Sequence, residues 1–264
     1  GKNFLMEDFF YAGGLRALMV ELGDKLDLNV KTVTGQTLKE CIKGSKNYNS
    51  DVIRTLKNPV YHEGSLAVLK GNLAPDGAVI KPAAMDPKFQ KHNGPAIVAD
   101  SYAELKEIIN DEDYPITADH ILVLRNAGPK GGPGMPEWGM IPMPKALLKQ
   151  GHRDMIRLSD ARMSGTSYGA CILHVAPEAF IGGPLALIRT GDIIQVDIPN
   201  RKLDVNISKS EMKKRQEDWV KPKPRYERGY GYIYSKHIEQ ADKGCDFDFL
   251  STDFGAAVEE PEIN

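Results

Sequence analysis

Short apolar segments separated by turn residues dominate the sequence from residue 52 onward, and they constrain the possible folds most strongly. Two turn sequences, P-D-G at residues 75–77 and P-N at residues 199–200, join neighbouring segments as in a hairpin. Because strands outnumber helices, the pattern predicts a mixed α/β fold with a closed or nearly closed β-barrel-like sheet flanked by helices. The expected strands are residues 65–70, 78–81, 95–99, 121–125, 155–158, 171–175, 193–198 and 202–207.

The start of the chain has a helical pattern instead. Apolar residues at helical spacing over residues 4–22 predict a helix that ends at Gly23. The pair Gly13 and Gly14 interrupts this pattern and costs helix stability. Either two helices meet there, or the backbone comes close to another group.

A polar stretch at residues 44–51 indicates a domain boundary. Before it, residues 28–33 are strand-like and residues 37–42 are predicted to form a helix. We therefore divide the chain into a helical segment, residues 1–46, and a main domain, residues 47–264.

Two capping boxes predict helices within the main domain. Ser101 with Glu104, and Ser208 with Glu211, have the spacing at which each member caps the other's backbone. A further helix is expected at residues 144–149.

Composition excludes several classes of protein. The chain has 264 residues, 41% of them hydrophobic, with a formal net charge of −2 and no basic cluster interleaved with aromatics. A nucleic-acid partner is therefore not expected. There is no apolar run of about 18 residues and no signal-peptide pattern, so we expect no membrane span and a cytoplasmic location. Three isolated cysteines argue against a disulfide framework or a metal site of locally spaced cysteines.

The turn after the segment at residues 155–158 has the composition of a functional site. Residues 159–169 read S-D-A-R-M-S-G-T-S-Y-G, which combines hydroxyls, an aspartate, an arginine and glycines. A strand that ends in such a turn exposes backbone N–H groups and side-chain oxygens to a ligand. Ser164, followed directly by Gly165, is the residue expected to be reactive. On the residues alone, an ordinary turn accounts for the same composition.

A second stretch rich in glycine and proline covers residues 126–137. Such a loop can present consecutive N–H groups to an anion, and Lys130 within it would suit a carboxylate or phosphate. It does not fit the Walker pattern, because no Gly-Lys-Ser/Thr closes it. Glu137 ends the loop, and on the residues alone a solvated charge accounts for it.

These stretches resemble the dihydroxy-acid and phosphogluconate dehydratase family, in its sugar-acid (pentonate) branch. The resemblance follows family order along nearly the whole chain, but it covers only the second part of such an enzyme. The chain begins at Gly1, directly on a helical pattern, and is expected to start within a longer protein. The blocks that carry the resemblance are residues 13–16, 71–82 (G-N-L-A-P-D-G-A-V-I-K-P), 125–137, 159–169, 174–184 and 244–249 (G-C-D-F-D-F).

The resemblance implies a fold and a reaction. The fold would be a swivelling β/β/α-type barrel domain, preceded by the helical end of a missing N-terminal domain. The enzyme would be an iron–sulfur and Mg²⁺-dependent hydro-lyase that removes water from an aldonate to give a 2-keto-3-deoxy acid. Residues 139–142 and 244–249 resemble the pentonate branch, so arabinonate, xylonate or a related aldonate is the expected substrate.

The same resemblance assigns roles to individual residues. Ser164 would be the base, its hydroxyl activated by Mg²⁺, and Thr166 would bind a substrate hydroxyl or the carboxylate. Glu137 would be the Mg²⁺ ligand that this chain supplies. The expected supports of the turn are Ser159, Asp160 and Arg162.

The expected iron–sulfur cluster, [2Fe–2S], would belong to the missing N-terminal domain, with no ligand among Cys41, Cys171 and Cys245. His174 lies in an apolar run and is predicted to be a packed, hydrogen-bonded residue instead of a ligand. The isolated chain should fold but lack activity.

The full-length protein is expected to assemble into an oligomer. The full-length protein would form a homodimer or tetramer, and residues 255–264 would reach a neighbouring subunit's active site. Two other readings stay open: a dihydroxy-acid dehydratase of branched-chain amino acid synthesis, and a free-standing small-molecule binding or interaction module. The presence of Glu137, Ser164 and Thr166 together favours the enzyme.

Overall fold

The computed structural model describes residues 3–165 and 167–250. The chain divides into two compact units, Gly1–Gly64 and Ser65–Asn264. The boundary expected at residues 46 and 47 refers to the domains of a longer protein and stays a prediction.

From residue 3 onward, the first unit contains three short α-helices: α1 (Met6–Tyr11), α2 (Gly14–Leu22) and α3 (Leu38–Ile42). Both explanations of the glycine pair are correct, because two helices meet at Gly13 and its backbone is closely approached. Gly13 has φ 114°, and a Cβ there would lie 2.4 Å from the carbonyl oxygen of Lys46. Only glycine tolerates both conditions.

The first unit has a small core of its own. Ala12, Ala17 and Ile53 are buried, and Phe9 and Leu18 pack against them. By contrast, Leu5 is 71% exposed. The apolar pattern of residues 4–22 is therefore only partly buried within this unit.

The strand expected at residues 28–33 is wrong. That segment consists of turns, with one isolated bridge between Lys31 and Thr37. The carbonyl oxygens of Leu28 and Val30 accept hydrogen bonds from the first N–H groups of α3 instead. Those N–H groups have no partner within the helix, so the carbonyl groups of this segment bind them instead of pairing in a strand.

The second unit is built on a single eight-stranded sheet in the order β1-β2-β6-β5-β4-β3-β7-β8. Strands β3, β4, β5 and β6 are parallel to their neighbours among these four, and the other pairs are antiparallel. The strands are β1 (Ala67–Leu69), β2 (Gly77–Ile80), β3 (Lys91–Ala99), β4 (Ile121–Leu124), β5 (Arg157–Ser159), β6 (Cys171–Ala176), β7 (Ile193–Asp197) and β8 (Lys202–Val205).

The two edges of this sheet approach each other. Lys70, directly after β1, forms a parallel bridge with Lys202 at the start of β8. The backbone N–H of Lys70 donates to the carbonyl of Arg201 at 2.9 Å, and its carbonyl accepts from Leu203 at 3.0 Å. The sheet is thus a nearly closed barrel, which confirms the predicted fold class.

The described residues of the second unit form four α-helices: α4 (Tyr102–Asn110), α5 (Lys145–Lys149), α6 (Lys209–Asp218) and α7 (Gly229–His237). Ser101 and Ser208 cap α4 and α6, each accepting the N–H three residues later. Oε2 of Glu104 accepts the N–H of Asp100 and Oε1 of Glu211 accepts Nε of Arg215, so only the serine half of each predicted box is confirmed. Helix α7, G-Y-G-Y-I-Y-S-K-H, was not predicted, since its glycines and aromatics are poor helix formers. No helix among the described residues is long and apolar enough to cross a membrane.

A buried ion pair anchors the central strand. Arg157, at the start of β5, is 1% exposed, and its Nη2 lies 3.0 Å from Oδ1 of Asp154. Arg157 also donates to the carbonyl of Ile141 at 2.8 Å and to that of Tyr168 at 3.1 Å. Asp154 accepts the N–H of Ala170 at 2.9 Å. Both charges are therefore surrounded by hydrogen-bond partners, which burial requires.

Replacing Asp154 with alanine should destabilise the second unit strongly. Arg157 would keep a buried charge without its partner, a loss of about 3–5 kcal/mol in the free energy of unfolding. Glu112→Ala, which breaks the exposed Lys149–Glu112 pair, is the matched control and should cost less than about 1 kcal/mol. Urea unfolding of the chain followed by circular dichroism measures both changes, and equal losses would contradict this account.

Candidate active site

Three loops meet at one edge of the barrel. Strands β4, β5 and β6 are adjacent and parallel, so their carboxyl ends lie on the same side of the sheet. The loops that follow are residues 125–137, residues 160–170 and residues 177–183. Polar side chains from separate parts of the sequence are thereby brought together, as is common at the carboxyl edge of parallel strands.

Asp160 connects these three loops. It is fully buried, and its Oδ1 accepts the N–H of Ala127 while its Oδ2 accepts the N–H of Ala179, each at 2.9 Å. The neighbouring Ser159 is also buried, and its Oγ accepts the N–H of Ala161 at 2.9 Å. These hydrogen bonds indicate that Ser159 and Asp160 hold the turn after β5 in shape.

Glu178 is a second buried carboxylate at this edge. Its side chain accepts N–H groups from Lys130 and Gly131, each at 2.9 Å, and the amide of Gln240 at 2.7 Å. The glycine-rich loop therefore presents consecutive N–H groups to an anion, as predicted. The anion is the protein's own Glu178, however, so the expectation that these groups meet a ligand's carboxylate or phosphate is corrected.

Burial changes the protonation of both carboxyl groups. Burial, and next the charge of Glu178, raise the pKa of Asp160 to about 7, although N–H groups of Ala127 and Ala179 oppose the shift. Burial also raises the pKa of Glu178. Burial therefore favours the protonated form of both groups, and at Asp160 the charge of Glu178 adds to this effect.

Arg162 joins the two loops that carry the predicted site residues. Its Nη2 lies 3.1 Å from Oε1 of Glu137, and its Nε donates to the carbonyl of Met135 at 2.7 Å. The loops are also in direct contact, since a Cβ on Gly139 would lie 2.2 Å from the carbonyl oxygen of Arg162. Glu137 itself is exposed and faces Arg162.

Ser164 lies on the wall of a cavity of about 670 Å³. Its backbone N–H donates to Oγ of Ser167 at 3.1 Å, and its carbonyl accepts from Nζ of Lys81 at 2.8 Å. Val68, Ala78 and Met163 form part of the apolar wall, and Lys81 and His174 form part of the polar wall. Thr166, predicted to bind substrate, lies outside the described residues.

His174 is hydrogen-bonded, as predicted, and also lines the cavity. Its Nε2 accepts the N–H of Met163 at 2.8 Å, which places the ring proton on Nδ1 in the neutral form. Burial, and then the positive charge of Arg162, lower the pKa of His174. The neutral imidazole therefore helps to shape the turn that carries Ser164.

Non-glycine residues with positive φ angles occur in the loop at residues 125–137, in β6, and outside the three loops at Arg201 and Cys245. Asn126, Met135, His174 and Cys245 have positive φ angles of 62°, 47°, 55° and 54°, an uncommon conformation for residues other than glycine. Such residues persist only where surrounding contacts determine them, and they often lie at functional sites.

The described residues supply few ligands for a metal. Among them, no group of three or more histidine, cysteine, aspartate or glutamate side chains is arranged to hold an ion. Cys171 is buried, with its Sγ 3.4 Å from the carbonyl of Tyr168, whereas Cys41 contacts Oγ1 of Thr32 at 3.5 Å. The cysteines thus lie in separate surroundings, which is not the arrangement of a cluster site.

Sequence reasoning did not assign Glu178 or Lys81 to the site. Both lie within blocks that carry the family resemblance, residues 174–184 and residues 71–82. Their contacts join residues 47 or more positions apart, so no local pattern could have revealed them.

Comparison with known proteins identifies the family of the chain. Residues 51–245 match the family described as dihydroxy-acid/6-phosphogluconate dehydratase C-terminal, and the chain belongs to that family. Over 263 residues the chain is 49% identical to a 6-deoxy-6-sulfo-D-gluconate dehydratase of Pseudomonas putida, covering 98% of this chain and 45% of that protein.

Two other relatives show the range of the family. An L-arabinonate dehydratase of Rhizobium leguminosarum bv. trifolii is 44% identical, with 97% of this chain and 45% of that protein covered. A dihydroxy-acid dehydratase of Acetivibrio thermocellus is 45% identical, with 91% of this chain and 43% of that protein covered. The chain thus spans about half the length of the relatives that it matches.

Asp160 should make folding stability depend on pH. Because its folded pKa of about 7 exceeds the ordinary aspartate value of 3.8, the folded chain binds the proton more tightly between these pH values. The free energy of unfolding of the wild type, minus that of Asp160→Asn, should therefore decrease as pH rises from about 4 to 7. Urea titrations at several pH values measure this difference.

Asp197→Asn is the control with the opposite sign. Hydrogen bonding from Asn200 lowers the pKa of Asp197, so its contribution is present above the unfolded pKa and is lost on acidification. The difference in the free energy of unfolding between Asp197→Asn and wild type should stay constant between pH 5 and 7. A constant difference for Asp160→Asn over the same range would contradict the assignment.

Proposed function

We propose that this chain is the C-terminal part of a sugar-acid dehydratase that acts on an aldonate. The observation that carries the proposal is Ser164, held on a structured turn at the wall of a cavity, in a chain that belongs to a dehydratase family. The names of the relatives, which specify sulfogluconate and arabinonate dehydratases, support a sugar acid as substrate.

The reaction removes one water without net oxidation. The C2–H bond breaks and its proton goes to a base, while the C3–O bond breaks and the hydroxyl leaves as water after protonation. The resulting enol then tautomerises to the 2-keto-3-deoxy acid. The C2 proton is weakly acidic and hydroxide is a poor leaving group, so both ends of the reaction need assistance.

Ser164 is the proposed base. Its turn is restrained by Lys81 through the carbonyl and by Ser167 through the N–H. Restraint of this kind holds an oxygen in a reactive geometry without reorganisation. Thr166, two residues later, is proposed to bind a substrate hydroxyl or the carboxylate, and Asp160 and Arg162 keep the surrounding loops in place.

Glu137 fits the role of one Mg²⁺ ligand, but only as part of a site. It is an exposed carboxylate on the loop that contacts the Ser164-bearing turn, and hard cations prefer such oxygen ligands. Mg²⁺ takes six oxygens, so other ligands would have to come from the rest of the protein, from water or from substrate. When bound, the ion would offset negative charge that develops on the substrate and lower the pKa of an attached hydroxyl.

The residues described here do not fit an iron–sulfur cluster, and no step of the reaction is assigned to one within this chain. We propose that the cluster-binding cysteines belong to an N-terminal domain of the complete enzyme. Assembly as a homodimer or tetramer, with residues 255–264 near a neighbouring subunit's site, is likewise part of the proposal. Those tail residues lie outside the described ones.

Replacing Ser164 with alanine in the full-length enzyme should abolish most turnover. A base acts in the proton-transfer step, so kcat should fall by at least about a hundredfold with little change in KM. Steady-state kinetics on an aldonate measure this, with exposed Ser210→Ala on α6 as the control. A loss of less than about tenfold would make Ser164 a turn residue only.

Glu137→Gln separates metal binding from proton transfer. This variant should require more Mg²⁺ for half-maximal activity, whereas Ser164→Ala should stay inactive at any Mg²⁺ concentration. A magnesium titration of both variants distinguishes the two roles.

A substrate panel tests the class of reaction. The full-length enzyme should convert C5 or C6 aldonates, such as arabinonate, xylonate or gluconate derivatives, to 2-keto-3-deoxy acids. Turnover of dihydroxy-isovalerate but of no sugar acid would favour the branched-chain amino acid reaction instead. No turnover of either class by a protein with its cofactors bound would favour a binding module.

A further inference from the structure

Lys81 lies outside the loop at residues 160–170, but it contacts the turn in that loop that carries Ser164, the proposed base. It follows β2 directly, and its Nζ donates to the carbonyls of Ser164 at 2.8 Å, Gly165 at 3.1 Å and Ser167 at 3.4 Å. We call these three residues the Ser164 turn. A lysine ammonium carries three N–H donors, and here each has an acceptor within one turn.

Residues 81–86, which begin with Lys81, also contact the far end of the loop at residues 160–170. The carbonyl of Ala84 accepts the N–H of Gly169 at 2.8 Å. The N–H of Asp86 donates to Asp154, the buried carboxylate that also accepts from Ala170. Residues 81–86 therefore contact the loop at both ends, but only Lys81 reaches the part that carries Ser164.

The chemistry of this contact differs from that of an ordinary surface lysine. The three acceptors are carbonyl dipoles without net charge, so they orient the ammonium without neutralising it. Charged donors make hydrogen bonds stronger than neutral ones do. Lys81 is half-buried and lines the same cavity as Ser164, so the contact is partly shielded from water.

We propose that Lys81 is a positioning residue for Ser164, holding the Ser164 turn in the geometry that proton transfer needs. The catalytic part of this inference rests on the proposed function, whereas the restraint of the turn does not. A restraint of this kind acts on the orientation of the base more than on the affinity for substrate. It should therefore affect kcat and leave KM nearly unchanged.

Three variants of the full-length enzyme test the proposal. Lys81→Met keeps the chain length but removes the ammonium, Lys81→Arg keeps a charged donor, and Lys106→Met removes an exposed lysine from α4 as the control. Lys81→Met should lower kcat by about tenfold or more with KM within about threefold. Lys81→Arg should recover part of that loss, and Lys106→Met should match wild type.

Hydrogen exchange provides a readout that needs no activity. Amides of the peptide that spans the Ser164 turn should exchange faster in Lys81→Met, whereas those of β4 and β6 should keep their wild-type rates. Lys81→Arg should exchange at an intermediate rate. If wild type converts no sugar acid, the proposed function fails, yet faster exchange confined to this peptide still supports the restraint.

Other outcomes would overturn the inference. One is a Lys81→Met enzyme with kcat within about twofold of wild type. Another is a loss of activity with unchanged exchange at the turn, or a rise in KM as large as the fall in kcat, which would indicate substrate binding. Faster exchange throughout the barrel in both Lys81 variants would show a general structural role instead.

Discussion

The geometry of the site depends on buried carboxylates that accept N–H groups from other loops. A carboxylate removed from water costs free energy unless hydrogen bonds replace its hydration. Asp160 obtains these bonds from Ala127 and Ala179, and Glu178 obtains them from Lys130 and Gly131. Since the loop at residues 125–137 supplies donors to both groups and the loop at residues 177–183 supplies one to Asp160, movement of either loop would leave a buried carboxyl group without its hydrogen bonds.

The nearly closed barrel makes this exchange possible. Parallel pairing of β4, β5 and β6 places the ends of three strands side by side, about 5 Å apart by the usual strand spacing. Below the loops, the ion pair of Asp154 and Arg157 fixes the start of β5 and the return of the loop into β6. Gly169 is required there, because a Cβ would lie 2.2 Å from Nη2 of Arg157.

Under the proposed function, the chemistry would be divided between this chain and the rest of a longer protein. The chain provides a held serine, an exposed carboxylate at Glu137 and a lysine whose charge faces carbonyl dipoles. Among its described residues, no group of three or more histidine, cysteine, aspartate or glutamate side chains is arranged to hold a metal ion. Relatives about twice as long are consistent with a site completed by a second region.

Local sequence patterns determined much of the fold. Apolar periodicity located all eight strands of the barrel, and the serines at 101 and 208 located two helix starts, because each signal involves residues only a few positions apart. Two expectations about these elements failed. Residues 28–33 accept hydrogen bonds from α3 instead of forming a strand, and α7 was missed because its glycines and aromatics are poor helix formers.

The sequence by itself also located the Ser164 turn and the glycine-rich loop, and family resemblance assigned them roles. Only the tertiary structure decided what those groups contact. The N–H groups of Lys130 and Gly131 bind Glu178, and Lys81 reaches Ser164 across 83 positions of sequence. Which residues become partners depends on strand order and on the free-energy cost of burying an unpaired charge. Neither is encoded in a local pattern.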